Sequence, residues 1–271
     1  MQPMSRISDA IEHVRKSQRE RSNETLSTDL RDRARTAPEP RSLGEALSED
    51  MLGLIVEPKR ATAAKGMINA ELDIAAVARD SQHGCATALS IVTDAHISQG
   101  SIDDIVAARG ACELPILARD FIVHVNQVYE LRAAGADAIV VPVVAFVDDD
   151  RHDDEESLEA IVEAAFQLGM EVVLSVQSDD ELERALETDV DILNIDNRNR
   201  DERIDVERTF ELLADVPVGT AVISESVANA DEVSRLHRAG VDALLLDEGH
   251  IDGNLSEVLA VYRDIALHDR G

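Results

Sequence analysis

Eight short apolar runs, each separated from the next by a stretch with helical periodicity, constrain this chain more than any other feature of it. They are Leu52–Glu57, Ala88–Thr93, Pro115–Arg119, Ala138–Val141, Glu171–Val176, Ile192–Ile195, Thr220–Ser224 and Ala243–Leu246. Their apolar residues are continuous, as expected of parallel strands covered on both faces. Strands alternating with helices imply right-handed crossovers and a parallel sheet. An internal echo bears on whether that sheet is open or closed: LRAAGADAIVVP from Leu131 resembles LHRAGVDALLLD from Leu236. The copies lie four strand–helix units apart, and in each a helix closes on Ala-Gly before a strand opens after Asp-Ala. Two halves built on one plan favour a closed (β/α)8 barrel, a TIM barrel, over a doubly wound open sheet. No G-x-G-x-x-G follows the first run, so a dinucleotide site has no support. The 271 residues suffice for one such domain. We place the barrel at residues 43–271, after an N-terminal helical extension of residues 1–42 that is charged, broken by Pro38 and Pro40, and amphipathic near Ile7 to Val14.

The charge balance narrows the setting. Formal net charge is −29, and Lys16, Lys59 and Lys65 are the only lysines. Such a shell repels itself unless counter-ions screen it, so a salt-adapted protein is expected. No basic stripe exists to neutralise phosphates, which argues against nucleic acid as a partner. The longest apolar runs, such as Ala138–Val147, fall short of the roughly 20 residues that span a bilayer, and the first twenty residues lack the apolar stretch of a secretory leader. A cytoplasmic location without a membrane partner is expected. Cys85 and Cys112 have no C-x-x-C spacing and are expected to be packing residues. The eight histidines are scattered without an H-E-x-x-H, so no metal site is expected.

In a barrel of this kind the chemistry lies at the C-terminal ends of the strands. That rule selects Glu57 and Lys59 after the first run, Thr93 and Asp94 after the second, and Arg119 and Asp120 after the third. It adds Ser175 and Gln177 from the fifth, Asp196, Asn197 and Arg198 from the sixth, Glu225 and Ser226 from the seventh, and Asp247 and Glu248 from the eighth. A ring of carboxylates with a lysine and arginines among them suits proton transfer, because neighbouring charges push pKa values apart. Lys59 is the best candidate acid.

The segments VEPKRATAAKG, ATALSIVTD followed by QGS, LPILARDFIV, LRAAGADAIVV, LNIDNR and VISES stand in an order and spacing that resemble indole-3-glycerol-phosphate synthase, from about Leu43 to the last helix. The resemblance implies a carbon–carbon lyase of tryptophan biosynthesis. Its small-molecule substrate would be a carboxyphenylamino-deoxyribulose phosphate, closed to indoleglycerol phosphate with loss of carbon dioxide and water and without a cofactor. It implies that Glu57 and Lys59 form the strand-one pair whose lysine helps expel the hydroxyl, and that Phe121 lines the ring pocket. Arg198 then lies near the substrate carboxylate, and Glu225 with Ser226 is the strand-seven pair. The sequence departs from the family pattern on the chemistry itself. Arg119 stands where the family has its general-acid lysine, Ser175 where it has a basic glutamate, and Asp196 where it has an asparagine. A guanidinium is a poor proton donor but stabilises an oxyanion. Ser175 lacks the base a carboxylate would provide. Val227 and Asp247 replace glycines that bind the substrate phosphate in the family, and Ile97 and Ser98 replace an aromatic pair. Together these imply catalysis by Glu57, Lys59, Arg119, Asp196 and Glu225, and substrate binding by Phe121, Ser175, Arg198, Ser226 and Asp247. Two further outcomes stay open: a diverged enzyme whose substrate lacks phosphate, or a non-catalytic barrel serving as a partner subunit. Oligomeric state is not assigned.

Overall fold

The computed structural model describes residues 3–22, 28–48, 51–147, 155–198, 204–226, 229–247 and 255–268. Eight parallel strands close into a barrel: β1 Gly53–Val56, β2 Ala88–Val92, β3 Ile116–Arg119, β4 Ala138–Pro142, β5 Glu171–Val176, β6 Ile192–Asp196, β7 Ala221–Glu225 and β8 Ala243–Leu246. β1 completes the circle, pairing Gly53 with Ala243 of β8 and Ile55 with Ala88 of β2. All eight expected runs are strands, although β4, β6 and β7 extend one residue further, to Pro142, Asp196 and Glu225. Asp196 and Glu225 belong to the site.

Side-chain alternation divides the apolar strand residues into two layers. Ile55, Ala88, Leu117, Ala138, Val140, Val173, Ile192, Ile223, Ala243 and Leu245 fill the barrel interior. Leu54, Val56, Leu89, Ile91, Ile116, Ile139, Val172, Leu174 and Leu244 face the surrounding helices. Both layers are apolar, which is why the runs read as continuous. Of the N-terminal helices, α1 (Pro3–Ser22), α2 (Thr28–Thr36) and α3 (Leu43–Leu47), the last closes the bottom of the barrel. Leu43 and Leu47 join the interior cluster, and the Glu171 carboxylate accepts from Leu43 N, Gly44 N and Ser42 Oγ at the start of α3. The N-terminal extension is helical, as expected, and α2 lies within its charged stretch. This helix lies on α6 (Val125–Ala134), with the Arg31 guanidinium 5.1 Å from the Tyr129 ring centroid. α1 is tied to the barrel by Arg15 donating to Ala145 O and Arg19 pairing with Glu156, and its Ile11 enters the outer core.

Outer helices α4 (Ile74–His83), α5 (Ile102–Arg109), α6, α7 (Leu158–Gln167), α8 (Asp179–Leu186), α9 (Glu207–Leu213), α10 (Ala230–Ala239) and α11 (Leu255–His268) separate the strands. Side-chain caps at Asp73, Ser101, His124, Ser157, Ser178 and Asn229 open six of them. The internal echo has a structural meaning. Gly135 and Gly240 end α6 and α10 at φ 105° and 98°, a left-handed conformation that favours glycine. Two residues later Asp137 and Asp242 each reach the preceding strand, accepting from Ile116 N at 2.8 Å and Val222 N at 2.7 Å. The repeated aspartate is a clamp between neighbouring strands. One expectation fails at the surface: Cys112 is buried as expected, but Cys85 is exposed in the turn after α4, at φ 59°. That left-handed turn directs its side chain away from the core. No described helix is long and apolar enough to cross a membrane.

Candidate active site

The inward-facing residues become polar toward the C-terminal rim. Glu57 immediately follows β1, and its N–H still donates to Leu246 O at 2.8 Å, so the strand geometry carries the carboxylate into the barrel, where it is fully buried. Its Oε1 lies 2.6 Å from Lys59 Nζ, while Oε2 accepts from Ser90 Oγ at 2.5 Å and from Arg119 Nη1 at 3.4 Å. Arg119, the last residue of β3, also donates from Nη1 to Glu225 Oε2 at 2.7 Å. Asn194 of β6 adds a second donor to that oxygen at 3.0 Å and a 3.0 Å bond to Ser175 Oγ. Arg119 thus bridges the buried carboxylates of Glu57 and Glu225, and Lys59 pairs with Glu57, both cations being partly exposed at the rim.

Burial penalises each of these charges, and the charges offset it for one another. For Glu57, burial acts upward on the pKa, but Arg119, Lys59 and the hydrogen bonds from Lys59 and Ser90 outweigh it and hold the carboxyl below its usual range. For Lys59, burial acts downward, but the fields of Glu57 and Glu225 leave the ammonium protonated above the usual lysine range. Arg119 behaves the same way, raised by Glu225, Glu57 and Asp196 against the cost of its burial. Asp196 is the exception. Burial and the nearby Glu225 push it up to about 6, although Arg119, Arg198 and a hydrogen bond from Arg198 N oppose them. Gln177 Nε2 donates to its Oδ2 at 2.6 Å, and Arg198 N to its Oδ1 at 2.9 Å.

The rim beyond this network is also occupied. Arg198 donates from Nη2 to Asp247 Oδ2 at 2.5 Å, and Asp247 is buried. Ser226 is fully buried in a left-handed conformation at φ 61°, and no described residue partners its hydroxyl. Phe121, in the segment after β3, is half-buried against the helix-facing core, outside the charged network. Val227 and Glu248 lie outside the described residues.

Several candidates turn away from the ring. Asp94 caps the loop after β2, accepting from His96 N, Ile97 N and Ser98 N. Asp120 follows the inward Arg119 and so points out of the barrel, where it accepts from Thr93 Oγ1 and Phe121 N. Asn197 also faces outward, donating to Ser224 Oγ and Glu225 O and accepting from Thr209 Oγ1. The C-terminal rule alone missed Ser90 and Asn194. Each is a polar residue at an inward position inside an apolar strand, and that phase was the available signal. Among the described residues no group of three or more His, Cys, Asp or Glu side chains is arranged to hold a metal ion.

The model of the family described as indole-3-glycerol phosphate synthase matches residues 6–254. The chain belongs to that family. An indole-3-glycerol phosphate synthase from Rhizorhabdus wittichii is 38% identical over 234 residues, covering 84% of this chain and 86% of the relative. Another, from a Polaromonas species, is 36% identical over 210 residues, covering 76% of each. Among solved structures, 3-hexulose-6-phosphate synthase from Salmonella typhimurium superposes with a TM-score of 0.63 at 15% identity, covering 80% of this chain and all of that one. Thiamine phosphate pyrophosphorylase from Pyrococcus furiosus gives 0.59 at 17% identity, covering 81% and 98%. At such identities the two structures speak for the barrel alone. In this chain Arg119 joins Glu57, and with it Lys59, to Glu225.

Proposed function

We propose that this barrel closes an indole ring, converting a carboxyphenylamino-deoxyribulose phosphate to indoleglycerol phosphate in the cytoplasm of a salt-adapted cell. The pairing of Lys59 with Glu57 and the bridge that Arg119 makes from Glu57 to Glu225, in a chain of this family, carry the reading. Closure joins the ring carbon that bears the carboxylate to the ribulose carbonyl carbon, and negative charge develops on the carbonyl oxygen. Arg119 stabilises that oxygen with a fixed guanidinium that keeps its proton. The alkoxide takes one proton from solvent to become a hydroxyl, loss of carbon dioxide returns an electron pair to the ring, and the hydroxyl then leaves as water with a second proton. Lys59 gives that proton. The neighbouring carbon must lose a proton as the double bond forms, and Ser175, bonded to the Asn194 amide, is no base for it. Asp196 takes that role, ionised at neutral pH and still basic.

The test is the appearance of indole fluorescence, in molar salt, from enzyme and this substrate. The rate is expected to fall as pH drops through about 6, where Asp196 gains its proton. Asp196→Asn should remove that limb and lower kcat about 100-fold. Stability moves the other way. The folded carboxyl binds its proton more tightly than the unfolded one, so Asp196 costs stability above pH 6, and the cost fades between about pH 6 and pH 4. Loss of activity near pH 6 therefore reports the base and not unfolding through this group. Background turnover in wild-type enzyme would sink the reading, and an acid limb untouched by Asp196→Asn would move the base elsewhere.

A second reading rests on Asp247, a buried carboxylate paired with Arg198 at the position where the resemblance seats a phosphate. It repels an anion and occupies the guanidinium that would greet one, which favours a ligand uncharged at that end. Asp247→Gly separates the readings. If the phosphate substrate is native but poorly seated, KM for it should fall about tenfold, discounting the repulsion for screening in molar salt. If the native ligand lacks phosphate, wild-type turnover of the phosphate substrate stays at background and the substitution creates it.

A further inference from the structure

Asn194 has no counterpart among the residues assigned above, yet it sits at the centre of the buried network. It lies on the inner face of β6, one pair below Asp196, and is 1% exposed. A carboxylate only accepts, so the amide edge facing Glu225 must be the NH2, and this one group donates to both Glu225 Oε2 and Ser175 Oγ. The other end of the amide, Oδ1, is buried with no partner among the described residues. A buried acceptor left unpaired is a cost to the fold that an apolar residue of similar size would avoid. Asparagine here satisfies half of its own hydrogen-bonding capacity while presenting two donors to the site.

We propose that Asn194 is a positioning residue that sets the orientation of Glu225 against Arg119, and that it couples Ser175 on β5 to that carboxylate. Glu225 Oε2 receives Arg119 from one side and Asn194 from the other. Two donors on one oxygen fix the plane of the carboxylate. Arg119 alone would leave it free to turn about its own side chain, and turning would release the guanidinium from the place where it meets the substrate oxygen. Ser175 takes the second N–H, while the acceptor-only Glu225 carboxylate keeps the Asn194 amide from turning its unpaired oxygen inward. The inference rests on the ring-closure reading for its kinetic consequence but on geometry alone for its structural one.

The test uses the full chain in molar salt with the carboxyphenylamino-deoxyribulose phosphate as probe. Asn194→Ala is expected to lower kcat about tenfold with KM within twofold, while the midpoint of thermal unfolding does not fall, because the orphaned oxygen leaves with the amide. Because Asn194 acts through Glu225, the loss should shrink to less than twofold in a Glu225→Gln background. An equal loss in both backgrounds, or an unchanged kcat, overturns the proposal. A crystal structure of Asn194→Ala supplies a readout independent of turnover. Glu225 should rotate off Arg119, and a carboxylate that stays in place also overturns the proposal. Should Asn194→Ala not fold, Asn194→Asp replaces the donor by an acceptor at constant shape and must displace Glu225 in the same crystal experiment. Inactivity of the wild-type chain would count against the ring-closure reading, whereas an unmoved Glu225 counts against Asn194.

Discussion

Alanine at position 59 is expected to cut kcat by about 1000-fold, within the range that single proton donors contribute. The ammonium is 2.6 Å from Glu57, and the fields of Glu57 and Glu225 keep it charged. In the proposed sequence of steps its proton leaves with the hydroxyl, and no other group in the network is placed to give one: Arg119 holds its own, and Glu57 is kept ionised below the usual carboxyl range. Lys59→Arg distinguishes charge from proton. A guanidinium preserves the pairing with Glu57 but does not release its proton, so this variant should fall nearly as far as alanine. Single-turnover fluorescence measures both. An alanine variant within tenfold of wild type would remove Lys59 from the role of acid. Recovery in the arginine variant would make its role electrostatic.

The largest expected loss of stability lies at the other end of the barrel. Asp137, fully buried before β4, accepts from Arg41 N at 2.9 Å, from Ile116 N at 2.8 Å and from Arg109 Nη1 at 2.6 and 2.7 Å. One carboxylate therefore joins the segment before α3, the end of α5, β3 and β4. Its removal leaves a largely buried guanidinium and two backbone donors without their acceptor. Asp137→Ala is expected to cost about 3–5 kcal/mol, the range for breaking a buried pair by removing one partner. In a domain of this size that corresponds to a fall of about 10 °C in the unfolding midpoint. The loss should persist in molar salt, because buried pairs are weakly screened, whereas exposed pairs such as Arg235–Glu207 should add little there. A calorimetric midpoint within about 2 °C of wild type would show that other groups anchor this corner.

Much of this was readable from local pattern. The eight strands follow from short apolar runs, and the outer helices from amphipathic periodicity with capping residues such as Asp73, Ser101 and Asn229. The echo of Ala-Gly and Asp-Ala reflects a repeated left-handed helix end and a repeated strand clamp, both built from residues close in the chain. Glu57, Lys59, Arg119 and Glu225 were legible because strand ends in a barrel converge at one rim. The helical extension was expected, but the bounds of α2 within it were not legible, since a stretch as charged as TDLRDRART carries no apolar stripe and its position comes from packing on α6.

The order of strands and helices, the closed barrel they imply and the residue types brought to its rim follow from periodicity over a few neighbouring residues. Which of those residues meet is set by contacts between distant parts of the chain. Arg119 bridges carboxylates 62 and 106 positions away, Asn194 reaches 31 positions to Glu225, and Asp247 takes up Arg198 from 49 positions away. Asp94 and Asp120, of the same chemical type and equally close to strand ends, turn outward into their own loops. Charge pairing depends on distance in space, and closing the barrel sets those distances through the tilt and register of strands far apart in the chain.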